Sequence, residues 1–86
     1  RYMKKRILIE VFIPILSLRF LVEVSLSLKI EEMKEMIYRN LEYITQKDIP
    51  IKMFMYVYNE RSKQIMHPEQ YLYESDIAYG DCLLLI

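Results

Sequence analysis

Residues 7–28 read ILIEVFIPILSLRFLVEVSLSL, and the fold turns on whether this stretch is one apolar helix or two strands. It is long enough to span a bilayer as a helix. Glu10, Arg19 and Glu23 argue against that, because three charges near a helix centre cost roughly 7–10 kcal/mol on the insertion scale and cancel what the apolar residues return. Pro14 weakens a helix further. No uncharged core followed by small residues appears, so a signal peptide is not expected either. Read with a period of two, the stretch makes sense. Ile7, Ile9, Val11 and Ile13 alternate with Leu8, Glu10 and Phe12, and Leu18, Phe20, Val22 and Val24 alternate with Arg19, Leu21, Glu23 and Ser25. Two half-buried strands result, with Pro14 at the break and PILS as a hairpin link that lacks the usual Asn-Gly or Asp-Gly signal.

From Lys29 the period lengthens to about 3.6, which places Ile30, Met33, Ile37 and Leu41 on one stripe of an amphipathic helix. Ser27 is its expected N-cap, Glu31 and Glu32 favour its positive end, and Glu35 and Arg39 form a four-residue charge pair. Pro50 forbids continuation. Residues 52–58, KMFMYVY, predict a third strand, and since both of its phases are apolar its inward face stays open. NERSK is a polar turn, Gln64 to Met66 a short fourth strand, HPEQYLYES a loop with one tight helical turn, and CLLLI the fifth strand. A hairpin followed by a crossing helix predicts an α+β roll of four to five strands in a mixed sheet, with the helix across one face. The last strand is expected deep in that sheet, parallel to the first, as its near-continuous apolar run suggests. Gly80, the only glycine, precedes it and marks a turn that goes left-handed.

At 86 residues, the chain is expected to form one domain over 1–86, with the basic cluster RYMKKR as a lead-in and Met3 as a natural start. Hydrophobic residues make up 53% and charged residues 28%, a balance that belongs to a folded chain rather than a disordered one. Lys plus Arg and Asp plus Glu are both 12, so no net field draws the protein to nucleic acid or anionic lipid, and neither nucleic-acid binding nor membrane insertion is expected. One cysteine closes no intrachain disulfide, which favours a cytoplasmic setting.

An enzyme is not expected. Cys82 falls on the predicted central strand and reads as a packed, inert thiol, because a nucleophile needs a low pKa and a base beside it. His67, alone before Pro68, has no metal-ligand spacing. Glu74 and Asp76 on a polar turn read as charge for solubility. One glycine cannot build a phosphate-cradling loop, and no cofactor is expected.

The stronger signal is surplus apolar surface. If one phase of each strand faces the helix, alternation sends Leu8, Phe12, Leu21 and Leu84 to the opposite side, beside Ile15 and Leu16 of the hairpin link. That side is the expected protein-binding surface, with Val57 contributed by the third strand and with Arg19 and Glu23 setting register at its border. The partner is another protein or, alternatively, a second copy of the chain in a structural homo-oligomer.

The order of elements and particular residues resemble the ubiquitin-like β-grasp superfamily. VEVSLSLKIEEMKEMI looks like its second strand and helix, DIP at 48–50 like its post-helix Ile-Pro turn, and LYESDIAYGDCLLLI like its closing turn and strand. A narrower resemblance is to small bacterial ubiquitin-like proteins of the YukD/EsaB kind, carried by Val11 to Pro14, Lys29-Ile30 and Gly80-Asp81 ahead of Leu83 to Ile86. It implies an accessory or regulatory role in type VII secretion. The hairpin departs from that pattern, with Ile15 and Leu16 in place of a turn glycine. Modifiers and sulfur carriers of the superfamily end in a mobile diglycine tail, and since the sequence ends at Ile86 that role is disfavoured.

Overall fold

The computed structural model describes residues 5–47, 49 and 56–86. Strand β1 (Arg6–Ile13) and strand β2 (Leu18–Ser25) form the predicted hairpin, paired without interruption from Arg6↔Ser25 to Ile13↔Leu18. The link is one turn of 3-10 helix, Pro14–Leu16, begun by a proline whose fixed φ suits a first helical position. The missing turn glycine is replaced by Ser17, held at φ 50° with its N–H donating to the Pro14 carbonyl at 3.0 Å.

Helix α1 (Ile30–Thr45) buries Ile30, Met33, Ile37 and Leu41 on the predicted stripe, together with Lys34 and Tyr38. Its cap differs from expectation. Lys29 occupies the N-cap position and its N–H donates to Glu32 Oε1 at 2.8 Å, whereas the Ser27 hydroxyl is engaged with that of Ser25 at 2.8 Å. The next two N–H groups, of Ile30 and Glu31, donate to the carbonyls of Gln70 and Pro68, so the loop after β4 does the satisfying that a cap side chain was expected to do. The expected Glu35 and Arg39 pair forms at 3.8 Å. Gln46 ends the helix in the left-handed region at φ 56°.

Strand β3 is Val57–Asn59, and residues 52–55 of the predicted third strand lie outside the described residues, as do Asp48 and Pro50 of the Ile-Pro turn. A turn through Lys63, at φ 61°, leads to β4 (Gln64–Ile65), and a 3-10 turn at Leu72–Glu74 precedes β5 (Cys82–Leu85). The sheet order is β2-β1-β5-β3-β4. As predicted, β5 lies at the centre, parallel to β1 and antiparallel to β3. Gly80 has φ +83°, where a side chain would strain the backbone, and its N–H reaches the Leu8 carbonyl at 2.8 Å.

One core follows. Ile9, Val11, Ile13, Val24, Val57, Leu83 and Leu85 point from the sheet to the helix, and Leu72 and Met66 close its ends. The position of Val57 is a correction: it is 3% exposed and sits opposite Leu85 on the helix side, so it cannot belong to the open face. Strand periodicity resolves the phase that composition left undecided, since burying Val57 and Asn59 turns Tyr58 the other way.

Candidate functional site

The candidate site is the side of the sheet that α1 does not cover. Pairing register lines up one residue from every strand across it: Arg19 on β2, Phe12 on β1, Leu84 on β5, Tyr58 on β3 and Ile65 on β4. A second row runs Leu21, Glu10, Cys82, and a third joins Glu23 to Leu8. Phe12, Leu84, Tyr58 and Leu8 are half-buried among their neighbours, while Leu21 and Ile65 are 66% and 56% exposed. Ile15 and Leu16 stand exposed at the hairpin tip. Of the residues expected on this face, all but Val57 lie on it or at its tip, and Tyr58 and Ile65 are the additions that the sequence did not reveal.

The face is more mixed than the apolar count suggested. Arg19 lies across it rather than standing at the border, its guanidinium carbon 4.2 Å from the centre of the Phe12 ring. The same guanidinium reaches Glu10 Oε1 at 3.2 Å and Cys82 Sγ at 4.0 Å. A cation on an aromatic face with a carboxylate beside it is held in one orientation, so it presents ordered hydrogen-bond donors next to apolar surface. Glu23 pairs with Arg6 at 3.8 Å, both side chains being largely exposed, a contact worth little.

Residues with chemical potential do not assemble into a reactive centre. Cys82 is half-buried in the second row, where desolvation, with Glu10 and Glu60 nearby, pushes its thiol up from the ordinary range and away from a nucleophilic thiolate. His67 is exposed and accepts a hydrogen bond from the Glu69 N–H through Nδ1. Glu74 accepts from the Tyr71 N–H at 3.0 Å and so holds its own turn, while Asp76 offers Arg61 its backbone carbonyl. Among the described residues no group of three or more His, Cys, Asp or Glu is placed to hold a metal ion, and no helix is long and apolar enough to cross a membrane.

Sequence reasoning missed a polar cluster at the end of the sheet. Asp81 is 4% exposed and accepts from Arg61 Nε at 2.7 Å, Arg61 Nη2 at 3.0 Å, Asn59 Nδ2 at 3.0 Å and the Ala78 N–H at 2.8 Å. Asn59, fully buried, in turn accepts the Arg61 N–H at 2.9 Å. The cluster ties the β3-β4 turn to the segment that feeds β5. Tyr58 directly precedes Asn59 in β3, and Leu84, its partner across the ladder, lies three residues after Asp81 in β5, so the cluster anchors one end of both strands. The Arg61 hydrogen bonds, aided by those from Asn59 and Ala78, hold the Asp81 carboxyl below the usual range against the opposing effect of burial.

No family model matches the chain, and no curated protein matches it in sequence. Solved structures do match. The ubiquitin-like domain of an Arabidopsis thaliana protein aligns over 100% of this chain and 81% of its own at a TM-score of 0.71 with 22% identity. A ubiquitin-like protein from Trypanosoma brucei aligns over 98% and 96% at 0.67 with 14% identity, and the ubiquitin-like domain of Plasmodium falciparum Dsk2 over 93% and 97% at 0.59 with 13% identity. The fold is therefore the ubiquitin-like β-grasp.

Proposed function

We propose that this chain is a non-catalytic ubiquitin-like module that docks onto another protein through the open face of its sheet. The observation that carries the reading is the five-residue row across that face: Arg19 and the apolar Phe12, Leu84, Tyr58 and Ile65 in line, with Leu21 exposed beside it and, among the described residues, no helix over it. A surface of this kind gains by losing water, and the clamped Arg19 adds directional donors at little further cost in side-chain freedom. Leu8, Phe12, Leu21 and Leu84 supply the contact, Ile15 and Leu16 extend it at the tip, and Arg19 with Glu23 discriminates among partners by charge. The cytoplasm is the setting proposed, on the ground that a single cysteine closes no intrachain disulfide.

The narrower reading, an accessory of bacterial type VII secretion, has behind it only the short matches at Val11 to Pro14, Lys29-Ile30 and Gly80-Asp81. The solved structures share the fold and add nothing to that role, so the proposal is of a docking module without a named apparatus. The test is affinity capture followed by titration of the captured protein against labelled domain. Leu8→Asp and Leu21→Asp should each abolish binding, and Tyr43→Asp, at an 86% exposed position on α1, should leave it intact. Binding that survives both sheet substitutions and is lost with Tyr43→Asp overturns the reading.

A further inference from the structure

The two edges of the sheet are unlike. At one edge, β4 is two residues long. At the other, β2 runs for eight residues with no proline, glycine or bulge, and among the described residues it has a neighbour on one side only. Long uninterrupted edges are what natural sheets ordinarily break up, since each offers a ready row of unpaired N–H and C=O groups.

The phase of that row can be read from the ladder. Leu26 N–H donates to the Lys5 carbonyl at 3.0 Å, so in β2 the even-numbered residues turn their backbone groups toward β1. In an antiparallel ladder the alternate residues turn outward. Arg19, Leu21 and Glu23 therefore present N–H and C=O to the open edge, with their side chains on the open face.

The sequence of this edge is self-complementary about Leu21. Reading outward from it, Phe20 mirrors Val22, Arg19 mirrors Glu23 and Leu18 mirrors Val24. We infer that β2 pairs antiparallel with β2 of a second copy of this chain, centred on Leu21, to make one continuous sheet across a two-fold axis. In that register Arg19 of each copy lies opposite Glu23 of the other, and Leu21 meets Leu21 between them. On the helix side, Phe20 faces Val22, covering the half-exposed parts of both.

The four nearest symmetric registers lose this charge match. Centring on Arg19 or Glu23 sets like charges opposite each other, and centring on Phe20 or Val22 sets Arg19 or Glu23 opposite Leu21. Arg19 need not leave Glu10 to gain its new partner, because a guanidinium has donors for both. The symmetry is isologous, so the contact closes at two copies and does not propagate into a fibre. It also lays the two open faces side by side on one surface. The ladder uses the backbone of the edge, and its register is set by Arg19, Leu21 and Glu23 at that border of the face; the inference does not rest on the face binding another protein.

A charge swap tests it on the purified chain alone, by sedimentation over a concentration series. The wild type should dimerise. Arg19→Glu and Glu23→Arg should each weaken the dimer by about tenfold or more, because two symmetric attractive pairs become repulsive. The two variants mixed should form a heterodimer, and the double variant should recover self-association, which a folding defect in either single variant would not permit. Glu23→Arg replaces a side chain that is 62% exposed and keeps the test informative should Arg19→Glu disturb the hairpin. A single monomeric species up to about 1 mM overturns the inference. So does a dimer indifferent to both substitutions, or a mixture that fails to pair. None of these outcomes bears on capture of a partner by the face, which is read with Leu8→Asp.

Discussion

Arg61 with Asp81 and Arg19 with Glu10 are the same two groups in opposite circumstances. At the sheet's end, the Asp81 side chain is 4% exposed and has both oxygens occupied, by both prongs of Arg61, by Asn59 and by a backbone N–H. On the open face, the Glu10 and Arg19 side chains are 31% and 52% exposed and meet through one contact of 3.2 Å. The two arginines are about equally exposed, so the difference lies in the carboxylates: that of Asp81 is buried and has further donors, and that of Glu10 is neither. The wet pair leaves its donors available to something else.

Removing the two carboxylates in turn puts the contrast to the hardest test. Asp81→Ala should cost about 2–3 kcal/mol in urea unfolding, since it strips buried Asn59 of its partner as well as Arg61, a figure kept moderate because Arg61 is half exposed. Glu10→Ala should change stability by less than about 1 kcal/mol. Equal effects would erase the distinction.

Acid sharpens the contrast with a smaller effect. The folded state holds the Asp81 carboxyl below its ordinary range, so the unfolded chain takes up that proton first. Its stabilising contribution is therefore complete above the unfolded aspartate value of about 3.9 and is lost as pH falls from there through the lower folded value. The urea midpoint followed down this window should drop in the wild type and drop less in Asp81→Asn.

The weakest effects belong to the two turns that carry the cluster. Gly80→Ala should destabilise by about 1 kcal/mol, through backbone strain alone, because nothing lies within 4 Å of the added carbon. Lys63→Gly, at a φ of 61° in the other turn, should stabilise by about 0.5–1 kcal/mol. Thermal unfolding of the pair reads both signs.

Local periodicity made most of the fold legible. The hairpin, the helix stripe and the central place of CLLLI each follow from side chains a few positions apart. The phase of β3 did not, because Val57 and Tyr58 are both acceptable inside or outside and only pairing with Leu85 and Leu84 decides between them. The helix cap was misread for a related reason: Ser27 is a good cap by type, but Gln70 and Pro68, distant in sequence, had already taken the first N–H groups. Asp81 was seen only as the residue after the glycine, since its partners Asn59 and Arg61 lie 22 and 20 positions away. Leu8, Phe12, Leu21 and Leu84 were legible as an outward set by alternation alone. The lie of Arg19 across Phe12 requires the hairpin register, which a turn without glycine concealed.

The parallel pairing of β1 with β5 joins Glu10 to Cys82, 72 positions further on (82 minus 10). Nearly the whole chain must be gathered into one loop before this ladder closes, and such long-range closure slows folding relative to a domain built of local contacts alone. During synthesis the first hairpin and the helix emerge well before the strand that completes the sheet. Until residues 82–85 leave the ribosome, the inner edge of β1 lacks its mate and stays an unpaired strand edge.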